Sequence, residues 1–471
     1  MQGLTLKGGL LYAGSSGNER QAFNRDLNNF QPRLGVAYRF RDKLVLRGGY
    51  GLVYLGQSAV GPSTGYSRTT NAIVTSDGGL TPRVNVVNAF PEGLLQPIGN
   101  SLGMSTNLGL GAGFPYRNRP LPYAQQYSVG FQYELPWDVR ADISYVGNQT
   151  RKLPMGVEYN FLPLSELGRA ASYYTERVPN PMAGLLPDNA AKNGATITRQ
   201  DLLMPYPQYT SVSASNVPIG SQRYDALQMS FVKRLGGGLS LSAHYTISKT
   251  LERMTLLNAQ DFNPANPAAS KLEQRLVEWD APQHFGLLGS LDLPYGRDRK
   301  WGSQIHPALN GVLGGWNLAA NFNRRSGLPL DFPNAAPLRA GSAKLNTEQR
   351  NQLAQKYGKP KWDISYVPYF DTSLFPSQVP APYTLRDFPS RFPDVRGFGL
   401  NNLDLTIKKQ FAIGERVKLE YRAEMMNTFN TTYFRRLASN ANQVTRANFG
   451  FLNQDPTVDP RIVVMVLRMT F

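Results

Sequence analysis

Alternation of apolar and polar residues with a period of two is the feature that most constrains how this chain can fold. It is clearest from Leu403 to Phe411, where apolar residues fall on one side of an extended strand and most polar residues on the other. A short turn follows at 412–416, and the chain returns from Val417 to Met425 with the same alternation. Because side chains alternate between the two faces of a strand, this pattern predicts an antiparallel hairpin with one apolar face.

The same unit recurs along the chain, which we treat as a single region covering residues 1–471. The predicted hairpins pair 34–40 with 44–50, 127–135 with 139–145, 227–231 with 239–247, 285–293 with 314–325, and 403–411 with 417–425. Single strands open the chain at Leu4 to Tyr12 and close it at Arg461 to Phe471. Together these segments predict an all-β antiparallel fold of about twelve strands.

The lengths of the turns also predict which residues face each other. Directly opposed residues in an antiparallel pair point to the same side of the sheet, so the apolar face should continue across each turn. The predicted facing pairs are Leu135 with Val139, Glu134 with Arg140, Phe411 with Val417, and Lys408 with Glu420. Two of these pairs bring opposite charges together, which agrees with the predicted registers.

The connections between the strands are very unequal in length. Four hairpins close with turns of about three to five residues, and the fifth has a longer turn at about 294–313. The other connections run over roughly 55–124, 148–223, 251–283, 326–400 and 428–460, which is long for a compact soluble domain. No run of about 18 apolar residues occurs, so helical membrane spans are excluded. We therefore expect a transmembrane outer-membrane β-barrel with short periplasmic turns and long extracellular loops, whose opening strand starts in the periplasm.

The two faces of the predicted sheet differ in a way that suits lipid on one side and water on the other. The apolar rows carry aromatic residues near strand ends, as an interfacial girdle does; they include Tyr127, Tyr145, Trp316, Phe411 and Phe471. The opposite rows are small or charged and include Ser240, Ser242, Ser248, Glu420 and Arg422. Alternation alone would also fit a soluble sandwich, but this distribution favours a lipid-facing surface and a polar lumen.

The last strand ends in a pattern typical of outer-membrane proteins. Phe471 is the terminal residue, and apolar residues precede it at every second position: Met469, Leu467, Met465 and Val463. This is similar to the C-terminal signature by which the outer-membrane assembly machinery recognises its substrates. We therefore predict that these five residues form the assembly signal.

The net charge of +17 raises the question of a nucleic-acid partner. The basic residues are dispersed along strands and loops, and no basic helix or ribonucleoprotein motif concentrates them, so we do not expect nucleic-acid binding. Two interpretations of the charge remain open. The basic residues are either a solvated lumen and loop surface, or they pair near the outer rim with lipopolysaccharide phosphates.

The sequence contains no constellation that indicates an enzyme, a cofactor or a metal site. Cysteine is absent, and the three histidines (His244, His284 and His306) lack metal-ligand spacing. Outer-membrane proteases and phospholipases are barrels of similar size, but no grouping of Ser, His and an acid stands out here. The loop carboxylates Asp225, Asp261 and Asp280 are either simply solvated or bind calcium.

Two further segments have local signals. Asn346 to Tyr357 is predicted to form a short helix inside a long loop, with Asn346 as its cap and Gln349 three residues further on. Gly236 to Gly238 is read as a turn and not as a phosphate-binding loop, because neither a helix nor Lys-Ser/Thr follows it.

Several segments, in order along the chain, resemble the barrel of Oar-like TonB-dependent receptors, a class common in acidobacteria. They are Asn28 to Gly35 with Leu46 to Gly51, Tyr123 to Gln126 with Ser144 to Gly147, Asn180 to Gly184, Leu202 to Tyr209, Tyr224 to Gln228 with Tyr245 to Lys249, and Arg422 to Glu424 with Asn427 to Asn430. Together these segments cover nearly the whole chain.

The resemblance implies a receptor of the Gram-negative outer membrane that takes up a bulky nutrient, with ligand binding in the loops and the upper lumen. Family members have about 22 strands around a plug, and the plug is the part that TonB remodels. The opening residues from Met1 do not resemble a signal peptide, and no plug is recognisable. We therefore expect the C-terminal part of a longer barrel, with TonB acting through a plug outside this chain. The alternative is a non-transport surface or adhesion barrel whose long loops bind partners. The nutrient is not identified by the sequence.

Overall fold

A large antiparallel sheet organises the computed structural model of the chain. The structure describes residues 6–57, 63–186, 188–254, 272, 274–297, 299–331, 343–358, 367–375, 391–413, 417–432, 434–437, 446–454 and 460–471. Within these residues, eleven strands form the continuous path of the sheet, and each strand pairs with the next one along the chain. This simple up-and-down order is what the predicted succession of hairpins requires.

The eleven strands differ widely in length. They are β1 (Arg33–Arg41), β2 (Leu44–Tyr54), β3 (Tyr123–Leu135), β4 (Val139–Glu158), β5 (Ser211–Gly236), β6 (Leu239–Arg253), β7 (Gln283–Asp292), β8 (Trp316–Arg325), β9 (Leu400–Ile413), β10 (Val417–Met426) and β11 (Ile462–Thr470). Two short strands join the sheet: Gly111–Pro115 runs parallel to the start of β5, and Arg275–Leu276 pairs with the end of β6.

The remaining elements lie in the connections. Three small two-stranded sheets pair Arg177–Pro179 with Thr196–Thr198, Pro329–Asp331 with Arg391–Arg396, and Phe434–Leu437 with Leu452–Gln454. The helices are α1 (Ala171–Thr175), α2 (Ala190–Asn193), α3 (Arg199–Leu203), α4 (Pro307–Leu313) and α5 (Thr347–Lys356), with 3-10 turns at Gly103–Ser105, Leu164–Glu166 and Thr372–Leu374. None of the helices found in the described ranges is long and apolar enough to cross a membrane.

The local helix prediction is confirmed in detail. Asn346 is the N-cap of α5, and its side-chain oxygen accepts a hydrogen bond from the backbone N–H of Gln349 at 2.8 Å. The Gln349 side chain accepts in return from the backbone N–H of Asn346 at 2.9 Å. This capping box satisfies two backbone donors that a helix N-terminus otherwise leaves without partners.

The predicted opening strand is wrong. Residues 6–12 are not in a strand, and residues 1–5 lie outside the described part of the chain. Gly8 adopts a φ of +78°, in the left-handed region, so the backbone turns where a strand would continue. Tyr12 is buried, and its hydroxyl donates to the carbonyl of Thr64 at 2.8 Å. The segment therefore packs among the long connections and does not form the predicted strand that crosses from the periplasm.

The predicted register of the hairpin β3–β4 is confirmed, and that of the hairpin β9–β10 is wrong by two residues. Leu135 faces Val139 and Glu134 faces Arg140, as predicted. In the second hairpin β9 continues to Ile413, which itself faces Val417, so every facing pair moves by two. The corrected pairs are Phe411 with Leu419, Lys408 with Arg422, and Gln410 with Glu420. Because the shift is even, each side chain stays on its predicted face.

Strands β4 and β5 extend well beyond their predicted limits, so the long connection between them covers 159–210 and not 148–223. Their ladder continues through three register shifts between Arg151 and Val157. Such β-bulges bend and twist a strand pair locally. The extended part carries the parallel strand Gly111–Pro115 and packs against the connections.

The buried apolar residues lie almost entirely at the long-connection end of the molecule. Three clusters stand out: Val157, Ala214 and Val217; Met182, Leu186 and Ile197; and Leu330, Ala343, Phe370, Leu374, Phe375, Val395 and Phe449. The first cluster lies in the extended parts of β4 and β5, and the other two lie in the connections, which are therefore folded structures with their own small cores. Tyr209 illustrates this: burial raises the pKa of its hydroxyl, which donates to the carbonyls of Met104 and Thr106 at 3.3 and 3.4 Å.

Candidate functional site

The apolar face of the sheet is exposed across most of its strands. One row crosses β1 to β6 through facing residues and contains Val36, Val129, Tyr145, Leu227 and Ile247. All five side chains are exposed. A contiguous apolar surface of this extent is not left open to water by a soluble protein. It therefore faces lipid, as the alternation predicts.

Strand β4 has a lipid-facing part and a part that the connections cover. Near the short-turn end, Ile143 is 43% exposed, whereas beyond the bulges Val157 is only 1% exposed. The apolar residues beyond the bulges are covered by the connections, as a water-soluble structure requires. The change between Tyr145 and Met155 therefore marks where the strand leaves the membrane.

The lipid-facing assignment can be tested with single cysteines, since the chain has none of its own. On β10, we expect labels at Leu419, Tyr421 and Ala423 to be restricted to lipid, and labels at Glu420 and Arg422 to react with water-soluble reagents. The reason is that adjacent strand residues point to opposite faces. Labelling with a membrane-impermeant maleimide measures this, and the reverse pattern would contradict a membrane-spanning sheet.

On the opposite, polar face, a cavity of about 450 Å³ lies near the long-connection end of β4 to β8. Most of its lining residues are hydroxyl or amide side chains: Asn148, Thr150, Gln222, Tyr224, Gln228, Thr246, Ser248, Thr250, Trp279, Ala281, His284 and Arg325. His284 faces Thr246 on one side and Arg325 on the other, so the three share a row. The cavity offers many hydrogen-bond donors and acceptors, one guanidinium, one imidazole, one phenol and one indole, which suits a polar ligand.

Buried ion pairs hold the connections above this cavity. Asp280 is 1% exposed, and its Oδ2 lies 2.6 Å from Nη2 of Arg396. Its Oδ1 accepts from the backbone N–H of Thr250, a cavity residue, at 2.7 Å. Glu252 is paired with Arg275 at 2.8 Å and with Arg391 at 2.9 Å. These contacts join the end of β6 to the strand Arg391–Arg396 and fix one rim of the cavity.

The candidate calcium ligands are engaged in other contacts. Asp280 is paired with Arg396, as described, and Asp225 accepts from the hydroxyl of Tyr145 at 2.6 Å and from Nε of Arg223 at 2.6 Å. Asp261 lies outside the described residues. Among the residues that the structure describes, no group of three or more His, Asp or Glu side chains could hold a metal ion.

The three histidines stay apart in the fold. His244 lies on the polar face, where its Nε2 and the hydroxyl of Ser242 are 2.8 Å apart. His284 lines the cavity. His306 is the N-cap of α4, and its Nδ1 accepts from the backbone N–H of Ala308 at 3.3 Å. Of the three histidines, His284 is the one that lines the polar cavity, whereas His244 is exposed elsewhere on the polar face.

The residues of the C-terminal pattern share the lipid-facing side of β11. Val463, Met465, Leu467 and Met469 face Met425, Ala423, Tyr421 and Leu419 of β10, respectively. All four are exposed, and Phe471 is 95% exposed beyond the end of the strand. The structure thus gives the alternation a physical basis in lipid contact, and the recognition role of these residues stays a prediction.

An antiparallel sheet with an exposed apolar face, a polar opposite face, short turns at one end and long connections at the other defines an outer-membrane β-barrel protein. The chain matches the family model described as "Outer membrane beta barrel domain" over residues 2–463, and it belongs to that family. It is therefore a protein of the outer membrane, with its short turns in the periplasm and its long connections outside the cell.

Solved structures with a similar arrangement of strands are outer-membrane receptors. The pyoverdine receptor FpvA of Pseudomonas aeruginosa is 10% identical with a TM-score of 0.38, and the similarity covers 94% of this chain and 36% of that one. The ferric preacinetobactin receptor BauA of Acinetobacter baumannii is 12% identical (TM-score 0.38; 93% and 36%), and the ferric-catecholate import receptor Fiu of Escherichia coli is 8% identical (TM-score 0.36; 93% and 34%). The chain spans about a third of the length of each. No curated protein matches it.

Proposed function

We propose that this chain forms part of the barrel of a TonB-dependent outer-membrane receptor of the Oar-like subtype, which takes up a bulky nutrient. The observation that carries the proposal is the open sheet. In the described ranges, β1 pairs only with β2, and β11 pairs only with β10. As far as the described residues show, each edge therefore has a row of backbone groups without a strand partner, which is costly in lipid.

We infer from these two edges that further strands complete the barrel. Barrel diameter grows with strand number, and barrels of about 22 strands have a lumen that needs a plug. In this proposal the polar face of the sheet lines that lumen, and TonB acts on the plug. The ordered segments that resemble Oar-like receptors support the same assignment.

The cavity on the polar face is the proposed contact site for the nutrient. It lies at the extracellular end of the lumenal face, and the ion pairs of Glu252 and Asp280 hold one of its rims. A nutrient that enters from outside would meet the folded connections first and this cavity next. The lining favours a ligand rich in hydroxyl, amide or anionic groups.

Lipopolysaccharide is the proposed partner of basic residues on the lipid-facing side. Arg223, Lys249 and Arg324 lie near the extracellular end of β5, β6 and β8, on the same face as Leu227, Ile247 and Phe322, and all three are exposed. Guanidinium and ammonium groups at this level would meet the phosphates of the outer leaflet, with which Arg in particular forms strong hydrogen bonds.

The proposed uptake can be tested without knowing the nutrient. We would delete the gene that encodes this chain, deplete TonB in a second strain, and compare which compounds each strain fails to remove from a complex medium. The compounds lost in the deletion strain should be a subset of those lost on TonB depletion. Normal removal of every compound together with a loss of surface attachment would contradict the proposal and favour an adhesion barrel.

Narrowing the cavity should lower uptake without lowering the amount of protein in the outer membrane. We expect Thr246→Trp to reduce uptake of the compound identified above by about tenfold, which corresponds to a loss of about 1.4 kcal/mol of binding. The matched control is Ile247→Trp, because the neighbouring residue points to lipid. Equal uptake by the two variants would show that the nutrient does not use this cavity.

A further inference from the structure

The connection between β7 and β8 differs from the other turns at the periplasmic end. It covers 293–315 and contains the helix α4, whereas the turns between β1 and β2 and between β3 and β4 have only two or three residues. We propose that this connection is an anchor that lies in the periplasmic leaflet of the outer membrane and binds the headgroups of anionic phospholipids. The inference does not depend on the proposed uptake function.

The described residues of this connection form a defined unit. The backbone N–H of Gly296 donates to the carbonyl of Trp301 at 2.9 Å, and the N–H of Trp301 donates to the carbonyl of Pro294 at 2.9 Å. The side-chain oxygen of Asn310, in α4, accepts from the backbone N–H of Arg297 at 2.8 Å. A closed loop and a helix are thereby fastened together.

The unit is attached to the lipid-facing side of the sheet. Trp316 and Lys409 face each other, and both lie on the face that carries Phe411. Nε1 of Trp316 donates to the carbonyl of Val312 at 2.9 Å, and Nζ of Lys409 donates to the carbonyl of Gly314. Lys409 is buried, with its Nζ 5.4 Å from the centre of the Trp316 ring and 4.8 Å from that of Phe411. The C-terminal end of α4 is thus held against the outside of the barrel wall.

The surface of this unit is apolar where it continues the wall. Leu309, Val312 and Leu313 of α4 and the nearby Trp301 are all exposed, Val312 by 64%. Apolar helix residues beside a lipid-facing wall, together with tryptophan, are typical of a segment that lies in the membrane interface. The surface of this unit is therefore continuous with the lipid-facing rows of the sheet, and it contacts membrane lipid as they do.

Basic residues of this unit indicate that part of it lies at the level of the lipid phosphates and not in the hydrocarbon. Arg297, Arg299 and Lys300 precede Trp301, and the intervening Asp298 lies outside the described residues. Nη2 of Arg299 lies 3.9 Å from Oδ2 of Asp292, which is on the polar face of β7, so Arg297 and Lys300 are the basic residues assigned to the headgroup. Nζ of Lys300 lies 5.6 Å from the centre of the Trp301 ring, so the ammonium and the indole occupy the same level. Basic residues beside interfacial aromatic rings suit the phosphate of an anionic lipid. Because this end of the barrel is periplasmic, that lipid is a phospholipid and not lipopolysaccharide.

Nitroxide labels on single cysteines would measure the depth of the helix. We would label Leu309 and Val312 in the intact protein in outer-membrane vesicles and compare their accessibility to oxygen and to a water-soluble nickel complex. Tyr421 is the lipid reference and Glu420 the water reference. We expect both helix positions to resemble Tyr421. Accessibility like that of Glu420 would overturn the proposal, as would crosslinking of these positions to a periplasmic protein in place of lipid.

Headgroup recognition is tested separately with the variant Arg297→Gln, Lys300→Gln. In vesicles of phosphatidylethanolamine with added spin-labelled phosphatidylglycerol, the parent protein should immobilise the anionic lipid preferentially, and the variant should lose this preference by about fivefold or more. The matched control is Arg350→Gln, Lys356→Gln, on helix α5 in an extracellular connection. A preference that the variant retains in full would overturn the proposal.

Discussion

Replacing Phe471 with aspartate should reduce assembly of the protein into the outer membrane by about tenfold or more, with little change in its synthesis. The carboxylate would sit at the end of a strand whose neighbouring side chains face lipid, but a charge near the membrane interface costs only about 0–1 kcal/mol in a barrel, so the charge is the smaller part of the expected effect. The substitution also removes the terminal aromatic ring of the predicted assembly signal. Heat-modifiable mobility of the protein on gels measures the assembled fraction.

Thr470→Asp is the matched control for this experiment. Thr470 is adjacent, exposed and on the polar side of β11, where it faces Lys418 of β10. The same charge placed there should be tolerated, because it points away from lipid and toward a cation. If both variants assemble normally, the C-terminal residues have no recognition role. If both fail equally, the effect is one of charge near the terminus and not of the aromatic signal.

Substituting Asp280 by alanine should unfold the rim of the polar cavity while leaving the membrane-spanning strands intact. The change leaves the guanidinium of Arg396 and the backbone N–H of Thr250 without their carboxylate partner. Removing one member of a buried pair typically costs about 3–5 kcal/mol. We expect hydrogen exchange to accelerate by two orders of magnitude or so in 274–281 and 391–396, in line with about 3 kcal/mol of lost local stability.

An exposed ion pair in another connection provides the comparison. Arg83 and Glu92 form an ion pair in which both side chains are largely open to solvent. Exposed pairs contribute about 0–1 kcal/mol, so Glu92→Ala should leave exchange nearly unchanged. A similar response of the two variants would mean that Asp280 is no more important to the fold than a surface carboxylate.

The parts of the fold that depend on residues close together in the chain were predictable from the sequence. Strand faces follow from the period of two, and the start of α5 follows from a capping box four residues long. The register error at β9 and β10 arose because the position where a strand ends is not encoded in alternation. The opening strand was wrong for a different reason: the partner of Tyr12 is Thr64, which is 52 residues away.

The candidate site was predictable only in outline. The polar face was predicted correctly from the alternation. Ser248 was among the residues predicted to lie on it, and it lines the cavity. The ion pairs of the rim were missed, because they join Glu252 to Arg391 and Asp280 to Arg396 across 139 and 116 positions of the chain. A single carboxylate in a loop has the same local sequence signal whether it is solvated or buried against a distant arginine.

The length of β5 has a consequence for what the cell exposes to its surroundings. A tilted strand crosses the hydrocarbon in about 9–11 residues, whereas β5 has 26. At about 3.3 Å per residue and a tilt of about 45°, the remaining residues rise roughly 35 Å above the membrane core. The connection 159–210 is therefore carried through the sugar layer of the outer leaflet. Antibodies and bacteriophages would meet this platform before any other part of the sheet, so we expect immune and phage selection to act on its residues and to spare the strands beneath.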